Sequence, residues 1–397
     1  MILKKRLIII NCLAIALFLI SPLVVLGSSQ SSQNIHIQGT ISYSTLLKLH
    51  VKGVTIVDSA GIQVKLSGFN VHSYRPSDPA AWQPHEDDVE WIREKGFNCI
   101  RIVVDWNYIE PAKGVYNESF FKNYLDPLIS WCEKYGVYVI LDMHQWNWSP
   151  YWGGDGFPTW ACDMYPQNDS GMEQCAVDFW KGQGVGSSTK QEFVDVWRFL
   201  ADRYKNRDVI AGYNLFNDPL GFYGGADHVA ELAPYVMELY NDLLTPAIRS
   251  VDPDTTVIYF MIYQNSQLDV NTKQTQPNVA WGRFWYMYSW DPFTGRYEEY
   301  KSEYYEEMKT YYASVYEKVY SEFSAPLIWL EIGCDSTHEG NLLWVNDSLR
   351  CMKELAELYG GQGHFMWWRY GKGRIWAPRN EDGSDRPVVA ILQTHQS

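Results

Sequence analysis

The chain has 397 residues with a globular composition, 46% hydrophobic and 20% charged, which excludes a disordered chain. Acidic residues outnumber basic ones by 47 to 33, and the net charge is −14. A phosphate-binding surface needs clustered positive charge, so we expect no nucleic-acid partner. The 18 tryptophans and 28 tyrosines indicate a surface that stacks on flat apolar faces such as sugar rings, although many of these rings are expected in the core.

The N-terminal segment has the pattern of a secretory signal. Basic residues at positions 4–6 precede an apolar stretch over residues 7–26. We predict a signal peptide over residues 1–27, with an uncleaved membrane anchor as the alternative. We predict a polar linker over residues 28–47 and one catalytic barrel domain over residues 48–397. Both interpretations place the folded part outside the cytosol, either secreted or anchored on the outer face of a membrane.

Six of the seven cysteines follow this segment, an even number in a chain predicted to be exported. Cys162 and Cys175 lie in one stretch rich in Gly, Asp and Pro, and we predict a disulfide bond between them. The other four are interpreted as buried thiols. No cysteine spacing resembles a zinc site, so we predict neither a metal nor another cofactor.

From about residue 49, apolar runs alternate with longer amphipathic stretches. Continuous apolar runs are typical of strands buried on both faces, and strands that alternate with helices are expected to pair in parallel. Eight such units close most naturally into a single α/β domain, a (β/α)₈ TIM barrel. The predicted strands are residues 64–71, 99–104, 137–143, 209–216, 256–262, 281–288, 327–332 and 363–368. Residues 54–68 predict a small N-terminal β-hairpin, with Ala60-Gly61 at its turn, that covers the barrel bottom.

Barrel enzymes carry their chemistry at the C-terminal ends of the strands. Polar side chains at these ends include two carboxylates, Asp218 after strand four and Glu331 at the end of strand seven. A retaining glycosidase uses such a pair, one as nucleophile and one that protonates the leaving oxygen and later activates water. Arg101 is expected to hold the nucleophile ionised by charge pairing. Asn217 is expected to donate to the sugar 2-hydroxyl.

At these residues the chain resembles glycoside hydrolase family 5. The resemblance covers about residues 49–370. It rests on six motifs in the order and spacing of the family: LSGFNV, GFNCIRIVVDWNYIEP, YGVYVILDMHQ, VIAGYNLFNDP, PLIWLEIG and FMWWRY. Within the family, LDMHQ together with GGDGFPTWA and VWRFLADRYKNRDVIAGYNLFND is similar to the branch that contains endoglycoceramidases and related β-glycosidases.

The resemblance implies a role for each matching residue. Glu331, in WLEIG, matches the nucleophile, and Asp218 matches the acid/base. Arg101 and His144 match supporting residues on strands two and three. Trp368, in WWRY, matches the aromatic platform under the sugar next to the cleaved bond.

The acid/base position departs from the family pattern. The family has Asn-Glu-Pro where this chain has Asn-Asp-Pro at residues 217–219. Aspartate is one methylene shorter, and three consequences remain open: the loop advances and retention is preserved, the enzyme is slow, or catalysis is lost. Glu339, after strand seven, is an alternative carboxylate if Asp218 proves too short.

Strand six is the second departure. The family has a His there, followed two residues later by a Tyr that touches the nucleophile. Alignment on Asp-Pro places Tyr288 at the first position and Trp290 at the second, with Tyr286 as an alternative donor to Glu331. The residues predicted to contact the substrate are Trp368, Tyr288, Trp146 and Trp148.

These observations favour a secreted, metal-independent retaining β-glycoside hydrolase. Its expected substrate is a β-linked glucan or oligosaccharide, or a β-glycoside with an apolar aglycone. Two alternatives remain: a carbohydrate-binding protein with a degenerate site, and a transglycosylase, which uses the same covalent intermediate. We expect a monomer, with membrane attachment only through the N-terminal segment.

Overall fold

The structure is a computed structural model that describes residues 45–72, 83–220, 228–262, 270–287 and 300–396. The predicted signal peptide lies outside these ranges. Within them, no helix combines the length and the apolar character that a membrane span requires.

A two-stranded antiparallel sheet precedes a closed barrel of eight parallel strands in which the first and last barrel strands pair. Each barrel strand overlaps one predicted apolar run, which confirms the TIM barrel. The small sheet is formed by β1 (Leu49–Lys52) and β2 (Thr55–Asp58), and the barrel by β3 (Ser67–Val71), β4 (Cys99–Asp105), β5 (Tyr138–His144), β6 (Ile210–Asn214), β7 (Val257–Phe260), β8 (Val279–Tyr286), β9 (Leu327–Gly333) and β10 (His364–Trp367).

Helices surround the barrel and pack an apolar core against the outer faces of the strands. The described α-helices are Glu86–Glu94, Trp106–Ile109, Glu118–Phe120, Asp126–Tyr135, Asp169–Lys181, Gly186–Tyr204, Val229–Glu238, Thr245–Arg249, Tyr305–Tyr316, Glu339–Leu358 and Pro387–Thr394. Three π-helical segments, Phe121–Leu125, Leu239–Leu244 and Glu317–Phe323, continue the helices before them, and short 3₁₀ turns occur at Pro150–Trp152, Thr159–Ala161 and Ser302–Tyr304.

The N-terminal sheet contributes to a second apolar core inside the barrel. Leu49 and Ile56 are buried in the same cluster as inward-facing strand residues such as Ile140 and Leu330. The backbone NH of Ile56 also donates to Gln362 Oε1 at 2.8 Å. The hairpin therefore packs against the barrel interior as expected. Its ladder differs, because residues 49–52 pair with 55–58, and pairing across the Ala60-Gly61 turn is a single bridge.

Strand β9 carries a bulge immediately before Glu331. On β8, the consecutive residues Arg283 and Phe284 pair with Trp329 and Glu331, so the ladder skips Leu330. The ladder with β10 is irregular at the same place. A bulge brings two successive residues onto one face of a strand. Leu330 accordingly lies in the inner apolar cluster, and the next side chain, Glu331, also points into the barrel.

The predicted disulfide is not formed in the structure. Cys162 and Cys175 are free thiols, and their Sγ atoms are 4.0 Å apart, whereas a disulfide bond is about 2.05 Å long. The two residues are neighbours as the sequence suggested, in contact but not bonded. The remaining described cysteines are buried free thiols, as predicted.

Candidate active site

Arg101 on β4 lies at the centre of a polar layer above the inner apolar core. Its guanidinium is fully buried and pairs with two carboxylates, Glu331 at 2.7 Å and Asp142 at 2.8 Å. The N–H groups of Arg101 also donate to the amide oxygens of Asn70, Asn214 and Asn217 at distances from 2.8 to 3.2 Å. A buried guanidinium needs such a complete set of acceptors because each unsatisfied N–H is costly.

Asn70 on β3 connects this layer to the bulge in β9. Its Oδ1 accepts from Arg101, and its Nδ2 donates to the carbonyl oxygen of Leu330 at 2.8 Å. A bulge disrupts the strand ladder locally, so the amide supplies a partner to the backbone at the irregular residue. The consequence is that the peptide unit preceding Glu331 is held by a side chain.

Glu331 is held from two sides. Arg101 donates to Oε1, and the hydroxyl of Tyr286, at the end of β8, donates to Oε2. Because β8 is the sixth strand of the barrel, Tyr286 is the strand-six tyrosine that contacts this carboxylate. Tyr288 and Trp290, the residues that the Asp-Pro alignment placed at the two family positions, lie outside the described residues.

A second buried carboxylate, Asp142 on β5, lies between the guanidinium of Arg101 and the imidazole of His144. One oxygen pairs with Arg101, and the other contacts His144 Nδ1 at 2.8 Å. Burial opposes the charged imidazolium, but the attraction of Asp142 outweighs it, and the pKa of His144 is raised. Asp142 therefore stabilises the charged form of His144.

Asp218 follows β6 in a left-handed backbone conformation, with φ of 44°. Aspartate is one of the few residues that tolerates this region. Gln145, at the end of β5, fixes the conformation: its Nε2 donates to the carbonyl oxygens of Asn217 at 3.2 Å and Asp218 at 2.8 Å, and its Oε1 accepts from the backbone NH of Trp148 at 3.1 Å. The turn that carries the shorter acid is thus clamped to the neighbouring loop.

The protonation state of Asp218 differs from that of an ordinary aspartate. Burial and, to a smaller extent, the negative charge of Glu331 raise its pKa, His144 opposes the shift, and the resulting pKa is about 7. A carboxyl group of this kind is protonated below neutral pH and donates a proton. Glu331, by contrast, is paired with a permanent cation. Two carboxylates with opposite environments are what acid and nucleophile roles require.

Trp368 forms an aromatic floor beside these groups. Its ring stacks on that of His144, with centroids 5.6 Å apart and planes at 13°. His72, at the end of β3, contacts both rings at 5.4 Å and 5.8 Å. Trp368 is partly exposed, so one part of the ring remains accessible at the mouth.

The two tryptophans predicted after strand three have different environments. Trp146 is 54% exposed, and its backbone pairs with that of Asp155. Trp148 is fully buried and stacks on Phe157 with centroids 4.2 Å apart. Its ring is core packing of the loop, and the expectation that Trp148 contacts the substrate is wrong because no face of it reaches solvent. Glu339 begins a helix, and its side chain lies outside the description.

The structure adds site residues for which the sequence offered only a weak signal. Asp142 lies two residues before His144, the strand period that puts both on one face, and this spacing could have indicated it. Asn70, Asn214 and Gln145 carry no such signal, because any polar residue near a strand end fits the same pattern. Within the described residues, no group of three or more His, Cys, Asp or Glu side chains is arranged to hold a metal ion.

Comparisons with known proteins agree with this architecture. The profile of the family "Cellulase (glycosyl hydrolase family 5)" matches residues 57–370. An endoglycoceramidase of Hydra vulgaris is 27% identical over 211 residues, 44% of this chain and 40% of the relative. Endoglucanase B of Acetivibrio thermocellus is 28% identical over 230 residues, 52% of this chain and 35% of the relative. The chain thus spans less than half the length of these curated relatives.

A solved structure shares the fold over most of the chain. Endo-glycoceramidase II from Rhodococcus sp., in complex with a cellobiose-like imidazole, superposes with a TM-score of 0.71 and covers 88% of this chain and 81% of its own. The sequences are 24% identical in this alignment.

Gln145→Leu tests the clamp on Asp218. The change leaves two backbone carbonyls without their donor, and if Asp218 is the predicted acid/base, its displacement by about 1 Å should lower kcat about 100-fold. The readout is the kcat for an aryl β-glycoside, with the melting temperature recorded in parallel. Gln183→Leu is the matched control, because Gln183 contacts only Asp178 in an exposed pair. Equal activity of the two variants would contradict a positioning role for Gln145.

Proposed function

The chain belongs to glycosyl hydrolase family 5, and from this membership and the geometry of the site we propose that it is a retaining β-glycoside hydrolase with Glu331 as nucleophile and Asp218 as acid/base. The observation that carries the proposal is the contrast between the two carboxyl groups. Arg101 and Tyr286 donate to Glu331, whereas burial raises the pKa of Asp218 to about 7. This contrast assigns the negative charge to Glu331 and the mobile proton to Asp218.

In the first step, Glu331 attacks the anomeric carbon while Asp218 gives its proton to the glycosidic oxygen. The bond from carbon to that oxygen breaks, the aglycone leaves as an alcohol, and the sugar is esterified to Glu331. The carboxylate of Glu331 loses its charge in this step. The hydrogen bonds from Arg101 and Tyr286 keep the resulting ester oriented for the attack of water on the anomeric carbon.

In the second step, the ionised Asp218 takes a proton from water, and the water oxygen attacks the anomeric carbon. The ester bond breaks, Glu331 is regenerated, and the sugar leaves with its original anomeric configuration. Asn217 assists both steps: Arg101 fixes its amide oxygen at 2.8 Å, which orients the NH₂ end as a donor to the sugar 2-hydroxyl.

For the substrate we propose a β-glycoside whose aglycone is apolar, with a β-glucan or oligosaccharide as the second choice. The support is Trp146, which presents an exposed indole beside the acid/base loop. Relatives named endoglycoceramidase and endoglucanase are consistent with both choices. A panel of a glycosylceramide, an aryl β-glycoside and a soluble β-glucan discriminates them by kcat/KM.

We also propose that the protein is exported and that Cys162 and Cys175 then form a disulfide. The support is the basic and apolar N-terminal pattern and the contact between the two sulfur atoms. The exported protein should begin near residue 28 and gain two free thiols on reduction. N-terminal sequencing and thiol titration of the denatured protein measure both. An intact N-terminal segment with unchanged thiols would reject cleavage and the bridge.

Variants of the two carboxyl residues separate their roles. Glu331→Gln should abolish turnover of every substrate. Asp218→Asn should lower kcat/KM for a poor leaving group by about 10²–10⁴-fold, but much less for a dinitrophenyl glycoside, whose leaving group needs no proton. Added azide should rescue Asp218→Asn and give the β-glycosyl azide. These results are read from product release and from NMR of the azide adduct.

Three outcomes would contradict this assignment. Undiminished turnover in Glu331→Gln would exclude it as nucleophile. An α-glycosyl azide from Asp218→Asn would exclude the double displacement. Sugar binding without turnover of any substrate would favour a carbohydrate-binding protein, and Asp218→Glu, which restores the family residue, is then the rescue variant. Products that incorporate an added sugar acceptor in place of water would identify a transglycosylase.

The pH dependence follows from the raised pKa of Asp218. The first step needs the protonated acid, so kcat/KM for an alkyl or oligosaccharide glycoside should fall about tenfold per pH unit above about 7. Asp218→Asn should lose this alkaline limb in its residual turnover of the same glycoside. Profiles from pH 5 to 9 measure both. An alkaline limb that persists in Asp218→Asn would assign the proton to another group.

A further inference from the structure

The segment after β10 forms a hydrogen-bonded loop over residues 371–386, beyond the end of the family match at residue 370. Arg386, at its end, is buried. Its Nη1 donates to the carbonyl oxygens of Arg374 at 2.6 Å and Ala377 at 3.0 Å. A guanidinium that bonds several carbonyls of one loop fixes the loop backbone in a single shape.

The same loop is tied to the chain that follows β9. The backbone NH of Ser336 donates to the carbonyl oxygen of Ile375 at 2.8 Å, and Ser336 Oγ donates to that of Ala377 at 2.8 Å. Ser336 Oγ in turn accepts from Arg386 at 2.9 Å. The loop is therefore anchored five residues beyond Glu331, on the nucleophile side of the barrel mouth.

The residue that this anchoring positions is Trp376. Its ring lies edge-on to that of Tyr286, with centroids 5.9 Å apart and planes at 88°, and Tyr286 is the donor to Glu331. A Cβ built on Gly333 would be 3.2 Å from the indole, so the absence of a side chain there leaves room for the ring. Trp367 Nε1 donates to the carbonyl oxygen of Trp376 at 2.9 Å.

Two apolar residues of this loop are not fully buried. Trp376 is only partly buried, and its neighbour Ile375 is 52% exposed. The loop thus presents apolar surface to solvent, although its backbone is held firmly. A partly exposed aromatic side chain on a firmly held loop beside a candidate catalytic carboxylate is typical of a ligand contact.

We propose that Trp376 is a substrate-specificity residue that contacts the group bound next to the scissile sugar. The ligand chemistry is a flat or extended apolar face, supplied by a further sugar ring or by an apolar aglycone. The family resemblance assigns the platform under the cleaved sugar to Trp368, so we assign the neighbouring group to Trp376. The proposal rests on the proposed function of the same site.

Three substrates with a common reaction test this contact: methyl β-glucoside, methyl β-lactoside, and lactosylceramide in detergent micelles. Trp376→Ala should leave kcat for the glucoside within about twofold. It should raise KM about tenfold for an extended substrate. A rise already seen with the lactoside identifies a sugar ring as the ligand, and a rise confined to lactosylceramide identifies the aglycone. Trp376→Phe, which keeps an aromatic face, should recover most of the loss.

Two results would overturn the proposal. The first is an equal loss of kcat on all three substrates, which means that the ring only supports Tyr286. The second is no change on any substrate. Arg386→Gln is the second variant, because it loosens the loop and keeps the indole. If Trp376→Ala fails to fold, Arg386→Gln should show the same substrate-selective rise in KM. An equal loss of kcat on all three substrates in Arg386→Gln would also overturn the contact.

A binding measurement separates this proposal from the proposed function. Calorimetry of lactose with the Glu331→Gln protein needs no turnover, and adding Trp376→Ala should weaken lactose binding about tenfold if the ligand is a sugar ring. Failure of hydrolysis with this loss of affinity would reject the enzyme and keep the contact. Hydrolysis that depends on Glu331, with unchanged KM values in Trp376→Ala, would keep the enzyme and reject the contact.

Discussion

The burial of one guanidinium governs the polar layer of this barrel. Arg101 has no access to water, so every N–H group it carries must find an acceptor within the protein. The hydrogen-bond acceptors come from β3, β6 and β9 and from the turn after β6, and Asp142 on β5 adds an ion pair, so one side chain fixes the relative positions of four strand ends. Removing one partner of a buried ion pair typically costs about 3–5 kcal/mol. The arrangement that serves the chemistry is therefore also one that the fold requires.

Around this centre, both candidate catalytic carboxyl groups are positioned through their backbones by amide side chains. Asn70 holds the carbonyl of Leu330, directly before Glu331. Gln145 holds the carbonyl of Asp218 itself. The two positions are irregular in different ways, one at a strand bulge and one with a left-handed φ. An amide can donate to a carbonyl that a regular ladder would have satisfied, and this is how irregular backbone persists beside the site.

The sequence predicted the barrel because eight apolar runs and intervening amphipathic stretches repeat one pattern, and each run became a strand. It also indicated Arg101, Asp218 and Glu331, since polar residues at strand ends are conspicuous after apolar runs. It failed where contacts depend on three-dimensional detail. A bulge cannot be predicted from composition, so the sequence did not indicate that Asn70 binds the backbone at the bulge in β9. Whether a loop indole is exposed or buried depends on how the loop folds back, which is why the predicted substrate contact of Trp148 was wrong.

If Glu331 is the nucleophile, its carboxylate forms a covalent bond to the sugar. The most direct measurement is mass spectrometry of the protein after treatment with a 2-deoxy-2-fluoro β-glycoside that carries a good leaving group, because fluorine slows the breakdown of the glycosyl ester. We predict a mass increase of one fluoroglycosyl residue, located on the peptide that contains Glu331. An active enzyme that forms no adduct, or an adduct located on another residue, would contradict it.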